Sequence, residues 1–151
     1  MTSFLNFPTV SPRLRTFTTA IVFITFCCTQ LSAQVVSNQL FRSWQIFARD
    51  GYSLSQDLIF GNLNESSYDY VYLNLKSNQA YKIYSPCDQD CDDIDLCLYD
   101  EYGNLISCDE ESDAQPQIHY FPNRDGRFKL KVIMYNCDIE PCKYGVGVFS
   151  R

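Results

Sequence analysis

Most of the chain after residue 52 alternates between apolar and polar residues with a period of two. Val71, Leu73 and Leu75, for example, are separated by Tyr72 and Asn74. The same alternation runs through residues 81–84, 94–99, 128–135 and 144–148. This pattern is typical of strands that bury one face. Turn-forming residues separate the segments and no helical pattern intervenes, so the sequence predicts an all-β, antiparallel β-sandwich domain over residues 52–151.

A helical period precedes the strands. Apolar residues at steps of three and four would share one helix face: Val36, Leu40, Phe41, Trp44, Phe47 and Ala48. Gly51 follows and is a natural helix stop. We therefore predict a short N-terminal helical segment over residues 34–51, the alternative being a strand or a linker.

One predicted strand carries a row of tyrosines. Tyr68, Tyr70 and Tyr72 would lie on the face opposite Val71 and Leu73. We expect the N-terminal helix to cover this row, because its own aromatic residues need a buried partner. The alternative is an exposed row of rings that stacks on sugar rings or on prolines of a peptide.

The first 33 residues have the features of a secretory signal peptide. Arg13 and Arg15 are the only charged residues before residue 42, and an apolar stretch over residues 16–28 follows them. This stretch is short and rich in threonine for a membrane span, and Ala33 offers a small residue for cleavage. We predict a signal peptide over residues 1–33, with an uncleaved anchor as the alternative. The mature chain would have no membrane span and would be secreted, periplasmic or at the cell envelope.

Six cysteines remain after residue 33, an even number that predicts three disulfides in an exported small domain. The simplest pairing is local: Cys87–Cys91, Cys97–Cys108 and Cys137–Cys142. A rival pairing joins the first loop to the last, through Cys87 or Cys91 and Cys137 or Cys142. A four-thiolate zinc site is a further alternative, which an oxidising compartment argues against.

The charge is strongly negative. The formal charge of −6 becomes −8 when Arg13 and Arg15 are removed, because ten basic and 18 acidic residues remain. This balance argues against a nucleic-acid partner, which would require clustered Lys and Arg. Eleven of the acids lie between Lys82 and Arg124, where no basic residue occurs.

Such a dense run of acids favours a compensating cation, and calcium takes six to eight oxygen ligands. We predict a calcium site in the loops of the sandwich. Its candidate ligands are Asp88, Asp90, Asp92, Asp93 and Asp95. Asp109 and Asp113 from the next loop could assist them. The alternative is a solvated acidic surface that keeps the protein soluble.

Catalytic patterns are absent from the sequence. His119 is the only histidine, and its place before Tyr120 and Phe121 suggests a strand residue rather than a base. There is no nucleophile-elbow or His-Glu-x-x-His motif. If all cysteines are paired, no thiolate is free. We therefore expect a protein that is not an enzyme.

Several short motifs together resemble a known family. They are Gly61-Asn62-Leu63, Asp69-Tyr70-Val71-Tyr72-Leu73, Asp95-Leu96-Cys97-Leu98-Tyr99-Asp100, Gly126-Arg127-Phe128-Lys129-Leu130 and Tyr144-Gly145-Val146. The stretch from Gly61 to Phe149 is similar to the bacterial pre-peptidase C-terminal domain. The resemblance implies a jelly-roll-like β-sandwich, usually a non-catalytic appendage of secreted peptidases. Some members of the family bind calcium, and some bind matrix proteins such as collagen. The cysteines and the preceding helix suggest a stand-alone, cysteine-rich secreted variant.

These observations lead to one main expectation. The chain should be an exported, non-catalytic binding module, with calcium as its stabilising cofactor, that presents a surface to a protein or polysaccharide at the cell envelope. One alternative is a structural envelope protein whose acids only maintain solubility. Another is a small secreted enzyme or inhibitor.

Overall fold

The structure, a computed structural model, describes the backbone of residues 16–151 and the side chains of residues 33–151. The chain divides into two compact units, residues 1–31 and residues 32–151. In the described part, one helix, α1 (Thr16–Arg49), precedes nine strands. The strands are β1 (Ser53–Leu54), β2 (Ile59–Leu63), β3 (Ser67–Leu75), β4 (Tyr81–Tyr84), β5 (Cys91–Tyr99), β6 (Leu105–Asp109), β7 (Gln117–Tyr120), β8 (Gly126–Cys137) and β9 (Cys142–Ser150).

The strands form two antiparallel sheets that pack face to face. One sheet has the order β1-β9-β4-β7, with β2 paired beside β1 on the same edge of β9, and the other has the order β3-β8-β5-β6. The pairing is nested along the chain: β2 pairs β9, β3 pairs β8, β4 pairs β7 and β5 pairs β6. This is the connectivity of a jelly roll. The predicted all-β, jelly-roll-like sandwich is confirmed.

The main core lies between the sheets and consists of the apolar residues that the alternation places inward. Leu73, Ile83, Leu96, Leu130 and Val146 are all completely inaccessible to solvent. Strand residues in between face outward, as a half-buried strand requires. The period-two pattern therefore assigned the inner face of β3, β5, β8 and β9 correctly.

A second, smaller core forms where α1 covers the outer face of β4 and β9. Val36, Leu40 and Phe47 are buried there, and the Phe47 ring meets that of Phe149 edge to face at 5.1 Å between centroids. Phe41 and Trp44, which the helical period placed on the same buried face, are 52% and 42% exposed. Only part of the predicted apolar face of the helix is therefore buried.

Two glycines on β9 permit this close approach. A Cβ atom added at Gly145 would lie 2.8 Å from side-chain atoms of both Val36 and Leu40, and one at Gly147 would lie 3.1 Å from Leu40. Such distances leave no room for a larger residue without a shift of the helix. The face of β9 that meets α1 therefore combines two glycines, which admit the helix, with Phe149, which packs against it.

The three disulfides are the local ones: Cys87–Cys91, Cys97–Cys108 and Cys137–Cys142. The simplest predicted pairing is confirmed, and the pairing of first loop with last is wrong. The helix predicted over residues 34–51 is also present, but α1 begins at Thr16 and so includes much of the predicted signal peptide. Arg13 and Arg15 lie outside the described residues. In residues 16–151, no helix combines the length and apolarity needed to cross a membrane.

Candidate functional site

The tyrosine row of β3 is open to solvent. Tyr68, Tyr70 and Tyr72 are 54%, 40% and 54% exposed. The expectation that α1 covers this row is wrong, because the helix packs on the outer face of the other sheet, where glycines admit it. The alternative, an exposed row of rings, is the one observed.

Each tyrosine of the row is paired with a cation from the neighbouring strand. The Arg127 guanidinium lies 4.1 Å from the ring centroid of Tyr72, and Lys129 Nζ lies 4.6 Å from that of Tyr70. Lys131 Nζ lies 4.3 Å from the Tyr68 ring. We call these six residues the tyrosine–cation ladder.

The register of β3 and β8 explains the geometry of the ladder. Tyr70 lies directly opposite Lys131, and Tyr72 lies opposite Lys129. Each cation therefore leans diagonally, two residues along the partner strand, over the next ring, a distance that long side chains span easily. Exposed cation–π pairs of this kind contribute about 0.5–1 kcal/mol each. The rings are thus held in place while much of each ring remains accessible.

The cations of the ladder have no acidic partners. Ion pairs elsewhere join Lys82 to Asp50, and Arg124 to Asp100 and Glu101. Within residues 33–151, no carboxylate oxygen comes within 4.0 Å of a nitrogen of Arg127, Lys129 or Lys131. In a chain with a formal charge of −6, these three cations lie on one strand face and contact rings rather than carboxylates.

An open cleft of about 420 Å³ lies at one end of the ladder. Tyr72, Arg127 and Lys129 line one side, and the β5–β6 turn with Asp100 and Glu101 lines the other. The two acids are already engaged: Asp100 accepts hydrogen bonds from the backbone N–H groups of Tyr102 and Asn104, and Glu101 pairs with Arg124 at 3.2 Å. The Asn104 side chain also donates to Asp100 Oδ2 at 2.9 Å. This bond contributes most to lowering the pKa of Asp100, and the two backbone bonds and the nearby Arg124 lower it further.

The predicted calcium ligands divide into two groups. The first lies near Lys143, at the start of β9. The Asp88 backbone N–H donates to the Lys143 carbonyl at 2.9 Å, and Asp88 Oδ2 accepts from the Lys143 N–H at 3.1 Å. Asp88 is buried, its Oδ1 has no hydrogen-bond partner, and burial raises the pKa of this carboxyl. Asp90 lies beside it, and its carbonyl accepts from the Asp138 N–H at 2.7 Å.

The second group lies on β5 beside the β6–β7 connection. Asp95 is only 8% exposed, and burial, with repulsion from Asp93, Glu110 and Asp109, raises its pKa to about 6. Burial and Asp113 raise the pKa of Asp93, whose Oδ1 is buried without a hydrogen-bond partner. Asp92 is exposed. Asp109 and Asp113, which were expected to assist, are among the acids whose charge raises the pKa of Asp95 and Asp93, respectively.

The five predicted ligands do not converge on one point. The one group of three potential ligand atoms found within 4.8 Å of one another in the described residues is Cys97, Cys108 and Glu110. Cys97 and Cys108 form a disulfide, so their sulfur atoms are not thiolate ligands. No three of Asp88, Asp90, Asp92, Asp93 and Asp95 meet the same distance criterion.

His119 lies on β7, as a strand residue. Its ring is hydrogen-bonded to the Gln117 side chain, and burial together with Lys82 lowers its pKa.

The sequence analysis missed the cationic half of the ladder. Arg127, Lys129 and Lys131 alternate with the core residues Phe128 and Leu130, so their outward position was readable from the period of two. Their proximity to the tyrosines depends on the β3–β8 pairing, which the sequence does not specify.

Comparison with known proteins identifies a similar solved structure but no match to a family model or to a curated protein. No protein-family model matches the chain, and no curated protein matches it by sequence. Among solved structures, the chain is similar to the pre-peptidase C-terminal domain of collagenase from Bacillus anthracis. The identity is 16%, the TM-score is 0.48, and the match covers 61% of this chain and 87% of that chain. The matched domain belongs to the family that the sequence motifs resemble. At this identity and TM-score the likeness carries no conclusion about ligand or activity.

Proposed function

We propose that this protein is an exported, non-catalytic β-sandwich module that presents the open outer face of its β3-β8-β5-β6 sheet to a protein or polysaccharide at the cell envelope. The observation that carries the proposal is the asymmetry between the two outer faces. One is closed by α1, whereas the other exposes three tyrosines in a row. Large exposed apolar patches mark interaction surfaces, and tyrosine is enriched at interfaces because its ring joins an apolar body to a polar group.

Export is supported by the three disulfides, which persist in oxidising compartments. The predicted signal peptide over residues 1–33 remains part of this proposal. N-terminal sequencing of the protein recovered from a secreting host tests it, and we expect Gln34 as the first residue. An intact N-terminus would favour the anchored alternative.

We further propose that calcium stabilises the module. Support comes from the raised pKa of Asp93 and Asp95 and from the unpartnered buried oxygens of Asp88 and Asp93. Carboxylate donors suit calcium. Of the five predicted ligands, Asp93 and Asp95 are the ones we expect to hold the ion. Because the spacing does not supply three carboxylates to one ion, backbone carbonyls and waters would complete the ligand set.

Thermal unfolding of the non-reduced, secreted protein tests the calcium proposal. We expect the Tm to rise by several degrees in millimolar calcium relative to EDTA, and to change less in magnesium, because an ion that binds the native state stabilises it by mass action. The double variant Asp93→Asn/Asp95→Asn should lose this rise. Asp57→Asn, which removes an exposed acid elsewhere, should keep it.

The alternative, an envelope protein whose acids only maintain solubility, is favoured by the dispersed positions of the five carboxylates. An equal Tm in calcium and EDTA would support this alternative and reject calcium. The surface-presenting role would then depend on the ladder alone.

A further inference from the structure

The tyrosine–cation ladder combines open aromatic rings with cations that contact those rings. Its rings are 40–54% exposed, and its cations have no carboxylate within 4.0 Å. Carboxylates are abundant in the chain, yet the three side chains on β8 are directed at rings instead. An incoming anion would therefore meet three cations that pair with no carboxylate of the described residues, while Asp100 and Glu101 lie across the cleft from Arg127 and Lys129.

The ladder is also linear and repetitive. Successive tyrosines are two residues apart on β3, which places their Cα atoms about 6.6–6.8 Å apart along the strand. The cations repeat with the same step on β8. A surface that repeats one aromatic and one positive element three times is suited to an extended polymer with a repeating ring and a repeating negative charge.

We infer that the ladder binds an anionic polysaccharide. This inference rests on the proposed presenting role and names its ligand class. The apolar faces of the sugar rings would stack on the open parts of the tyrosine rings. The carboxylate or sulfate groups of the polymer would pair with Arg127, Lys129 and Lys131 through charge-assisted hydrogen bonds. The cleft beside Tyr72, which has a volume of about 420 Å³, adjoins this surface.

An acidic peptide fits this surface less well. Strand β8, which carries the cations, is hydrogen-bonded to β3 on one side and to β5 on the other, so the nearest free backbone groups lie along the outer edge of β3, one strand away from the cations. An extended peptide laid across it would leave its own N–H and C=O groups without partners on the protein side, whereas peptides usually add to a sheet edge. A sugar polymer carries its polar groups on the ring periphery and can leave them in water.

Binding is measured by isothermal titration calorimetry on the secreted protein. The probes are polygalacturonate and dextran sulfate, each compared with its uncharged counterpart: methyl-esterified polygalacturonate and dextran. We expect at least one charged polymer to bind more tightly than its counterpart, and the pair that does so identifies carboxylate or sulfate as the preferred group. Poly-L-glutamate tests charge without sugar rings and should bind more weakly.

Three variants locate the site. Arg127→Gln/Lys129→Gln/Lys131→Gln should weaken binding at least tenfold. The matched control Arg42→Gln/Arg49→Gln/Lys76→Gln removes the same charge from exposed positions elsewhere and should change binding less than threefold. Tyr68→Leu/Tyr70→Leu/Tyr72→Leu keeps all cations and should still weaken binding several-fold, because stacking is lost. The Tm and the circular dichroism spectrum establish that each variant is folded.

Four results would overturn the inference: no binding of either charged polymer, equal binding of charged and uncharged forms, equal loss in the control variant, or poly-L-glutamate binding as tightly as the sugar polymers. The calcium-dependent Tm rise of the ladder variants separates this inference from the proposed function. If calcium still stabilises them but no polysaccharide binds, the ligand class is rejected and the calcium proposal remains.

Discussion

The two outer faces of the sandwich differ in what covers them: one lies under α1, and the other is open to solvent. Each belongs to a sheet whose inner face is fully buried, and each is formed by the outward residues of alternating strands. On β9 those residues include Gly145 and Gly147, and α1 covers them through Val36 and Leu40. On β3 and β8 they are large tyrosines and long cations, and no element of the described chain covers them.

The covered face carries Phe149 and Tyr84 beside its glycines, so close approach and apolar rings together distinguish it from the open face. Glycine lets a helix approach the backbone closely. A tyrosine row keeps a helix away, and the cations beside it cover part of each ring in its place. A closed face contributes stability through burial, whereas an open face contributes little stability and remains available for binding.

The sharpest test of this contrast removes one residue from each face. Leu40→Ala should lower the free energy of unfolding by about 2–5 kcal/mol, because a buried side chain is replaced by a cavity. Tyr70→Ala, on the open face, should lower it by about 1 kcal/mol or less. Denaturant titration of the non-reduced protein measures both. Equal losses would mean that the two faces contribute alike and that the contrast is wrong.

A second test concerns the acidic edge of the open sheet. Because the pKa of Asp95 is raised to about 6 in the native state, against about 3.9 in an unfolded chain, the native state binds this proton more tightly. The free energy of unfolding should therefore fall as the pH rises from about 4 to about 6 and stay low above that range. In EDTA at pH 7.5, Asp95→Asn should raise it by about 1–2 kcal/mol.

The same substitution should change little at pH 3.5, where Asp95 is protonated in both states. Denaturation at the two pH values in EDTA checks the prediction, with Asp57→Asn as an exposed control. A loss of stability at pH 7.5 on Asp95→Asn would instead mean that the ionised carboxylate makes a favourable contact in the native state.

The smallest expected effect concerns the ladder itself. Lys131→Gln should lower the free energy of unfolding by less than about 1 kcal/mol, because its cation–π contact with Tyr68 is exposed to water. What stability this contact contributes should fall further at high salt, because exposed charges are screened. Denaturation in low and high salt measures both. A loss of several kcal/mol would show that the open face supports the fold, contrary to the comparison drawn above.

Strand pattern and local disulfides could be predicted because both depend on nearby residues. Alternation identified the buried side of β5 from Ile94, Leu96 and Leu98. Cys97 and Cys108 could be paired because the turn between them, with Gly103 and Asn104, has the composition of a hairpin. Neither inference required knowledge of which strands become neighbours in the sheet.

The position of the helix and the ladder could not be predicted, because both depend on pairing between distant segments. Residues of β3 and β8 that face each other, such as Tyr70 and Lys131, are 61 positions apart in the chain. The helix had two possible apolar partners. The signal that would have distinguished them was the spacing of Gly145 and Gly147, which indicates a close backbone approach on β9.

Strand β9 has a consequence for the order in which the chain can fold. It pairs with β1 and β2 along one edge and with β4 along the other, and it also receives α1. All of these partners precede it in the chain, so during synthesis or export they emerge with their central neighbour still missing. Contacts between such distant segments form slowly, since the loop entropy must be lost first. Until β9 arrives, α1 can contact only the β4 part of its partner surface, and Val36 and Leu40 lack the strand that buries them.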